Sequence, residues 1–193
     1  MLLIETGKLM KNIVFAAIIA LTLSLFPGRA ALAAGPEDTL YIDLKNGRVV
    51  IELYPEVAPG HVERIKTLTR KGFYNGVVFH RVIEGFMAQT GDPTGTGMGG
   101  SDLPDLKAEF NKTRHVRGTL SMARSSDPDS ANSQFFICFT ATPFLDGQYT
   151  AFGRVVSGME YVDAIKRGSE TENGQVTDPD KIVKMQVAAD VKE

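Results

Sequence analysis

Arg81 is the charged residue whose surroundings suit chemistry. It stands two residues after Phe79 in a β-branched and aromatic run, Val77 to Ile83. A surface arginine or a simple ion pair is the plain alternative. Phe86, Met87 and Gln89 follow closely, and Phe135, Phe136 and Leu145 come later. Aromatic rings and a thioether beside one guanidinium and one amide would bind a small apolar ring next to a carbonyl. Other chemistries find less support. The three histidines, His61, His80 and His115, include no pair at ligand spacing, so no metal site is expected. Cys138 is the only cysteine and lies inside Phe135-Phe136-Ile137-Cys138-Phe139, where a small buried apolar role fits better than a nucleophile. Composition leaves a Ser-His-Asp triad open. There is no G-x-S-x-G elbow, however, and Ser133 precedes an apolar strand rather than a sharp turn. Gly95 to Gly100 matches G-x-G-x-x-G, but Pro104 breaks the helix that a dinucleotide site requires, so this stretch reads as a loop.

The elements that would position these residues are mostly strands. Leu40, Ile42 and Leu44 alternate with polar neighbours, Asn46-Gly47 follows, and Val49, Ile51 and Leu53 alternate again, which is a hairpin pattern. After Pro59, the apolar residues Val62, Ile65 and Leu68 recur at helical spacing, with Gly72 just beyond. Further strands are expected at Val77–Ile83, Thr119–Ala123, Gln134–Phe139, Tyr149–Val156 and Lys181–Ala188. A second helix is expected around Met159, Val162 and Ile165. Ser169 to Asp180 is polar and reads as a mobile loop. Short strands without a βαβ rhythm indicate a mainly antiparallel β fold, and closure into a barrel would remove exposed edges.

The chain has 193 residues, 21 Lys+Arg and 23 Asp+Glu, for a net charge of -2. Its 43% hydrophobic content excludes disorder over most of the length, and the charge gives no basic footprint for nucleic acid. The N-terminus reads as a targeting segment. Lys8 and Lys11 precede an apolar run from Ile13 to Phe26, and Ala31-Leu32-Ala33 is an A-x-A cleavage signature. That run of 14 residues is shorter than the roughly 20 needed to span a bilayer. The expectation is a cleaved signal peptide over 1–33, a single domain over 34–193 and no membrane attachment after cleavage; the periplasmic location follows only from the resemblance given below. Met1 and Met10 are alternative starts. Loss of Glu5, Lys8, Lys11 and Arg29 leaves 18 basic and 22 acidic side chains, net -4.

Five strings in order carry a family resemblance: Val77-Val78-Phe79-His80-Arg81-Val82-Ile83, Gly85-Phe86-Met87-Ala88-Gln89-Thr90-Gly91-Asp92, Gly118-Thr119-Leu120-Ser121-Met122-Ala123, Ser133-Gln134-Phe135-Phe136-Ile137 and Leu145-Asp146-Gly147. The chain resembles the cyclophilin peptidyl-prolyl isomerases from about Thr39 to Ala188. Its signal segment and short glycine-rich loop are similar to the bacterial periplasmic kind. The resemblance implies a closed eight-stranded antiparallel β-barrel capped by two α-helices. It also implies cis/trans isomerisation of X-Pro bonds in folding periplasmic proteins, without cofactor or metal, by a monomer whose partners are proline-containing peptides and unfolded chains. By the same resemblance Arg81 is catalytic. Phe86, Met87, Phe136 and Leu145 match the proline pocket, Gln89 and the backbone near Ala123 and Arg124 hold the peptide, and Gln134 matches a further groove residue. Phe144 and Tyr149 stand where many members have Trp and His, and Arg124 where Asn is common, so weak cyclosporin binding is expected. A proline-peptide binding or holdase module with incidental turnover would use the same pocket and is the alternative.

Overall fold

A computed structural model of the chain describes residues 34–192. The segment 1–33, on which the signal-peptide expectation falls, lies outside the described residues. The strands are β1 Thr39–Leu44, β2 Gly47–Leu53, β3 Arg81–Ile83, β4 Met87–Thr90, β5 Thr119–Met122, β6 Phe135–Cys138, β7 Ala151–Ser157 and β8 Lys184–Val187. The helices are α1 Pro59–Arg70 and α2 Met159–Asp163. The eight strands form one sheet in the order β3-β4-β6-β5-β7-β2-β1-β8, with every neighbouring pair antiparallel.

Local sequence accounts for the elements. Lys45-Asn46 joins β1 to β2, with Leu44 opposite Gly47. Alternation then buries Leu40, Ile42 and Leu44 of β1 and Val49, Ile51 and Leu53 of β2 on one face. Helix α1 starts at Pro59, whose missing N–H costs nothing there. Glu109 caps the helix from a distant loop, accepting from the Gly60 and His61 amides at 3.0 Å each. At the other end Gly72 takes φ +69°, its amide donating to Thr69 and that of Phe73 to Leu68, which satisfies the last carbonyls. Val62, Ile65 and Leu68 are buried in the core. Burying each such side chain contributes about 1.5–3 kcal/mol.

The expected closure of the barrel is not found, and the fold is corrected to an open half-barrel. β3 and β8 are the two edges of the sheet and share no ladder. Isolated bridges, Val78 to Lys181 and Arg81 to Gln175, and separate backbone hydrogen bonds such as Ile182 to Val77 cross the gap without forming a ladder. The reason lies in the residues before β8. Asn173 and Asp178 both take φ +53°, and Pro179 has no N–H to give. A ladder cannot run through left-handed residues and a proline. The expected strand Val77–Ile83 is likewise reduced to three residues. The stretch read as a mobile loop, Ser169 to Asp180, is instead tied down: Val82 donates to Gly174, Val176 to His80 and Phe79 to Asp180.

Candidate functional site

Strand alternation sorts the site from the core. On β4, Ala88 joins the main core, whereas Met87 joins a separate small cluster. On β6, Phe135 and Ile137 face the main core while Phe136 and Cys138 face the small cluster, together with Leu145. Phe86, Ala123 and Tyr149 pack against that cluster. The registers then align one row across four strands. Arg81 is opposite Gln89, Gln89 opposite Phe136, and Phe136 opposite Ser121. A guanidinium, an amide and an aromatic ring therefore stand side by side on one face.

That face is the floor of a groove of about 370 Å³ lined by Arg81, Phe86, Met87, Gln89, Ala123, Arg124, Phe136, Phe144, Leu145, Gln148 and Tyr149. The structure thus gathers ten of the eleven residues singled out in the sequence. The eleventh, Gln134, lines an adjoining pocket of about 460 Å³ that shares Gln89, Ala123 and Arg124 with the groove. Phe136, Met87 and Leu145 are buried at its base. Tyr149 meets Phe136 edge-on at 6.1 Å, and Phe86 tilts against Phe144 at 5.5 Å. Phe144 is 63% exposed and forms the rim.

Arg81 is held at both sides of its fork. Nη1 donates to Gln89 Oε1 at 3.1 Å, Nε to the Asn173 carbonyl at 3.0 Å and Nη2 to Asn173 Oδ1 at 2.9 Å. Partial burial pulls its pKa below the ordinary arginine value, yet a guanidinium stays charged at any physiological pH. Gln89 passes the chain on, donating to Gln134 Oε1 at 2.9 Å. Gln134 donates in turn to the carbonyls of Gly97 and Gly99 at 3.0 and 2.8 Å. Arg124 folds back over the rim. Its guanidinium donates to the Gln148 carbonyl at 3.0 Å and lies 4.4 Å from the centre of the Tyr149 ring. Two residues were missed in the sequence: Asn173, which grips Arg81, and Gln148, which lines the groove. Asn173-Gly174 is a turn signal that could have marked the former. Cys138 is buried beneath the cluster, and burial pushes its thiol pKa up to about 11, so it supplies no thiolate.

The site is thus an apolar well beside a clamped guanidinium, carried on one face of a half-barrel. The chain matches the family described as cyclophilin type peptidyl-prolyl cis-trans isomerase/CLD over residues 39–187. It is 55% identical over 188 residues to a probable peptidyl-prolyl cis-trans isomerase of Brucella suis, covering 92% of this chain and 96% of that one. Among solved structures, a cyclophilin from Hirschia baltica superposes with a TM-score of 0.73 at 28% identity, over 82% of this chain and 77% of that one. A Cryptosporidium parvum cyclophilin type isomerase, crystallised in the presence of the dipeptide Ala-Pro, gives 0.72 at 30% identity, over 77% and 98%. The chain belongs to the cyclophilin type peptidyl-prolyl cis-trans isomerases, and its activity is rotation of the peptide bond before proline.

Proposed function

We propose that the groove seats the proline ring on Phe86, Met87, Phe136 and Leu145 while Arg81 addresses the prolyl nitrogen. The carrying observation is the cross-strand row that sets Arg81, Gln89 and Phe136 side by side above one well. The related structure obtained with Ala-Pro supports a proline-peptide ligand. Amide resonance makes the rotation barrier about 18–20 kcal/mol. Twisting the bond removes that resonance and leaves a lone pair on nitrogen, which a fixed guanidinium meets more strongly than it meets the planar amide. Only such differential binding speeds the step. A charged hydrogen bond contributes about 1.5–3 kcal/mol, or roughly ten- to a hundredfold in rate. Gln89, Gln134 and the backbone at Ala123 and Arg124 hold the flanking peptide. The substrates on this reading are folding proteins in the periplasm, reached through the leader segment, and the enzyme acts as a monomer. Cyclosporin binds weakly, because Phe144 offers no N–H at the rim.

The test is a protease-coupled isomerase assay with Arg81→Ala and Arg81→Lys, beside peptide binding measured separately. Turnover is expected to fall at least tenfold in both, because an ammonium does not reproduce the planar fork. Binding and thermal stability should change little. Near-normal turnover in Arg81→Ala would overturn the mechanism.

A further inference from the structure

Behind the well lies a set of side chains that the mechanism leaves unused. His115 Nδ1 is 2.9 Å from Asp146 Oδ1, and its Nε2 is 2.9 Å from Ser121 Oγ. This is the order of groups in a serine hydrolase triad. Ser121 is fully buried, however, and His115 is 1% exposed, so no substrate carbonyl reaches the hydroxyl. A nucleophile without access attacks nothing, and the arrangement must be read by what it touches.

What it touches is both halves of the well. Ser121 is directly opposite Phe136 in the β5–β6 pair. The His115 ring stacks on the Phe136 ring, with centroids 6.4 Å apart and planes at 23°. Phe136 is therefore flanked by His115 and by Tyr149. On the other side, His115 holds the turn Pro143–Leu145 at both ends. Its carbonyl accepts from the Thr142 amide at 2.8 Å, and its own amide donates to Asp146 Oδ1 at 2.7 Å. That turn carries Leu145 into the well and Phe144 to the rim. The main chain of His115 thus holds the turn, and its side chain, with Nδ1 on Asp146, Nε2 on Ser121 and the ring on Phe136, ties the strands bearing Phe136 and Ser121 to the turn bearing Leu145.

We infer that His115 is a positioning residue of the isomerase, setting the separation of Phe136 and Leu145 at which they close on the proline ring. The inference rests on the groove assignment made above. Loss of His115 weakens ground-state and transition-state seating alike, since Arg81 stands on β3 and is untouched. The effect therefore falls on KM rather than kcat.

Three substitutions test it. His115→Phe keeps a flat ring against Phe136 but removes both polar contacts of the imidazole. His115→Asn places an amide nitrogen near Nδ1, keeps the link to Asp146, and serves alone should the Phe variant not fold. His61→Phe is the control for stability: His61 is a buried histidine bonded to Glu109 at the start of α1 and lines no part of the groove. The expected result is a peptide KM raised at least threefold in His115→Phe and less in His115→Asn, with kcat within twofold, and an unchanged KM in His61→Phe. Unchanged KM in both His115 variants overturns the inference, as does an equal rise in His61→Phe, which would tie KM to stability. Phe136→Ala separates this failure from a deeper one. If it too leaves KM unchanged, the well itself is misassigned.

Discussion

Arg81 owes its readiness to neighbours rather than to its own charge. Three hydrogen bonds that Arg81 donates to Gln89 and Asn173 fix the fork before substrate arrives, so little side-chain entropy remains to be lost on binding. Gln89 was evident in the motif that follows Arg81. Asn173 was not, because the Asn173-Gly174 turn signal marks its left-handed backbone but not its contact with a residue 92 positions upstream. The rim is a separate matter. Phe144 is 63% exposed and packs only its ring against Phe86, with no N–H for a ligand carbonyl. A carbonyl covered there gives up water without a replacement bond. The cost is about 1 kcal/mol at so open a position, the low end of the range for unmet acceptors. Phe144→Trp is therefore expected to tighten cyclosporin inhibition by about fivefold while the KM of a short prolyl peptide stays within twofold. Equal inhibition of the two forms would move the determinant to Tyr149 or to the loops.

The glycine-rich loop shows how an element can be read correctly as a loop while its purpose is missed. Asp92 is fully buried at its base. It accepts from the amides of Thr94, Gly97 and Gly99 at 2.8, 2.6 and 3.1 Å and from the Thr94 hydroxyl. A Cβ on Gly99 would strike the Asp92 carboxylate, and one on Gly91, at φ +91°, would strike the Ser133 carbonyl. The glycines let the backbone wrap an anion of the protein's own, and the wrapped loop presents the carbonyls that Gln134 bonds. Burial raises the Asp92 pKa, but those donors outweigh it and bring it down to about 2. A depressed carboxylate stabilises the fold fully above its unfolded pKa of 3.8, and the contribution fades as pH falls toward 2. The shift is worth about 2 kcal/mol. In urea unfolding, the stability gap between the wild type and Asp92→Asn should narrow by about that amount from pH 5 to pH 2. A constant gap would show that the loop does not depend on the charge. Among the other elements, the β1–β2 hairpin and α1 were legible because alternation, Asn-Gly, Pro59 and Gly72 are local signals. The open edge was not, since it follows from Asn173, Asp178 and Pro179 interrupting a long-range pairing.

At the scale of the molecule, the buried apolar core runs from Leu40 to Val187. The described residues hold both edges of the sheet, both helices and the whole groove. Among them no helix is long and apolar enough to cross a membrane. A domain of about 160 residues buries roughly two-thirds of its unfolded surface, which suffices without disulfides. The charge, the apolar run and Ala31-Leu32-Ala33 are the sequence features behind reading residues 1–33 as an address, a reading that assigns the leader no part in the folded domain. Two measurements follow from that division. A chain beginning at Ala34 should match the full chain in kcat/KM within twofold and in Tm within about 2 °C. The intact mass of protein isolated from its native cell should correspond to residues 34–193. A large loss of Tm on truncation would place part of the stability in the leader, and an uncut chain in the soluble cytoplasmic fraction would end the periplasmic reading while leaving the isomerase intact.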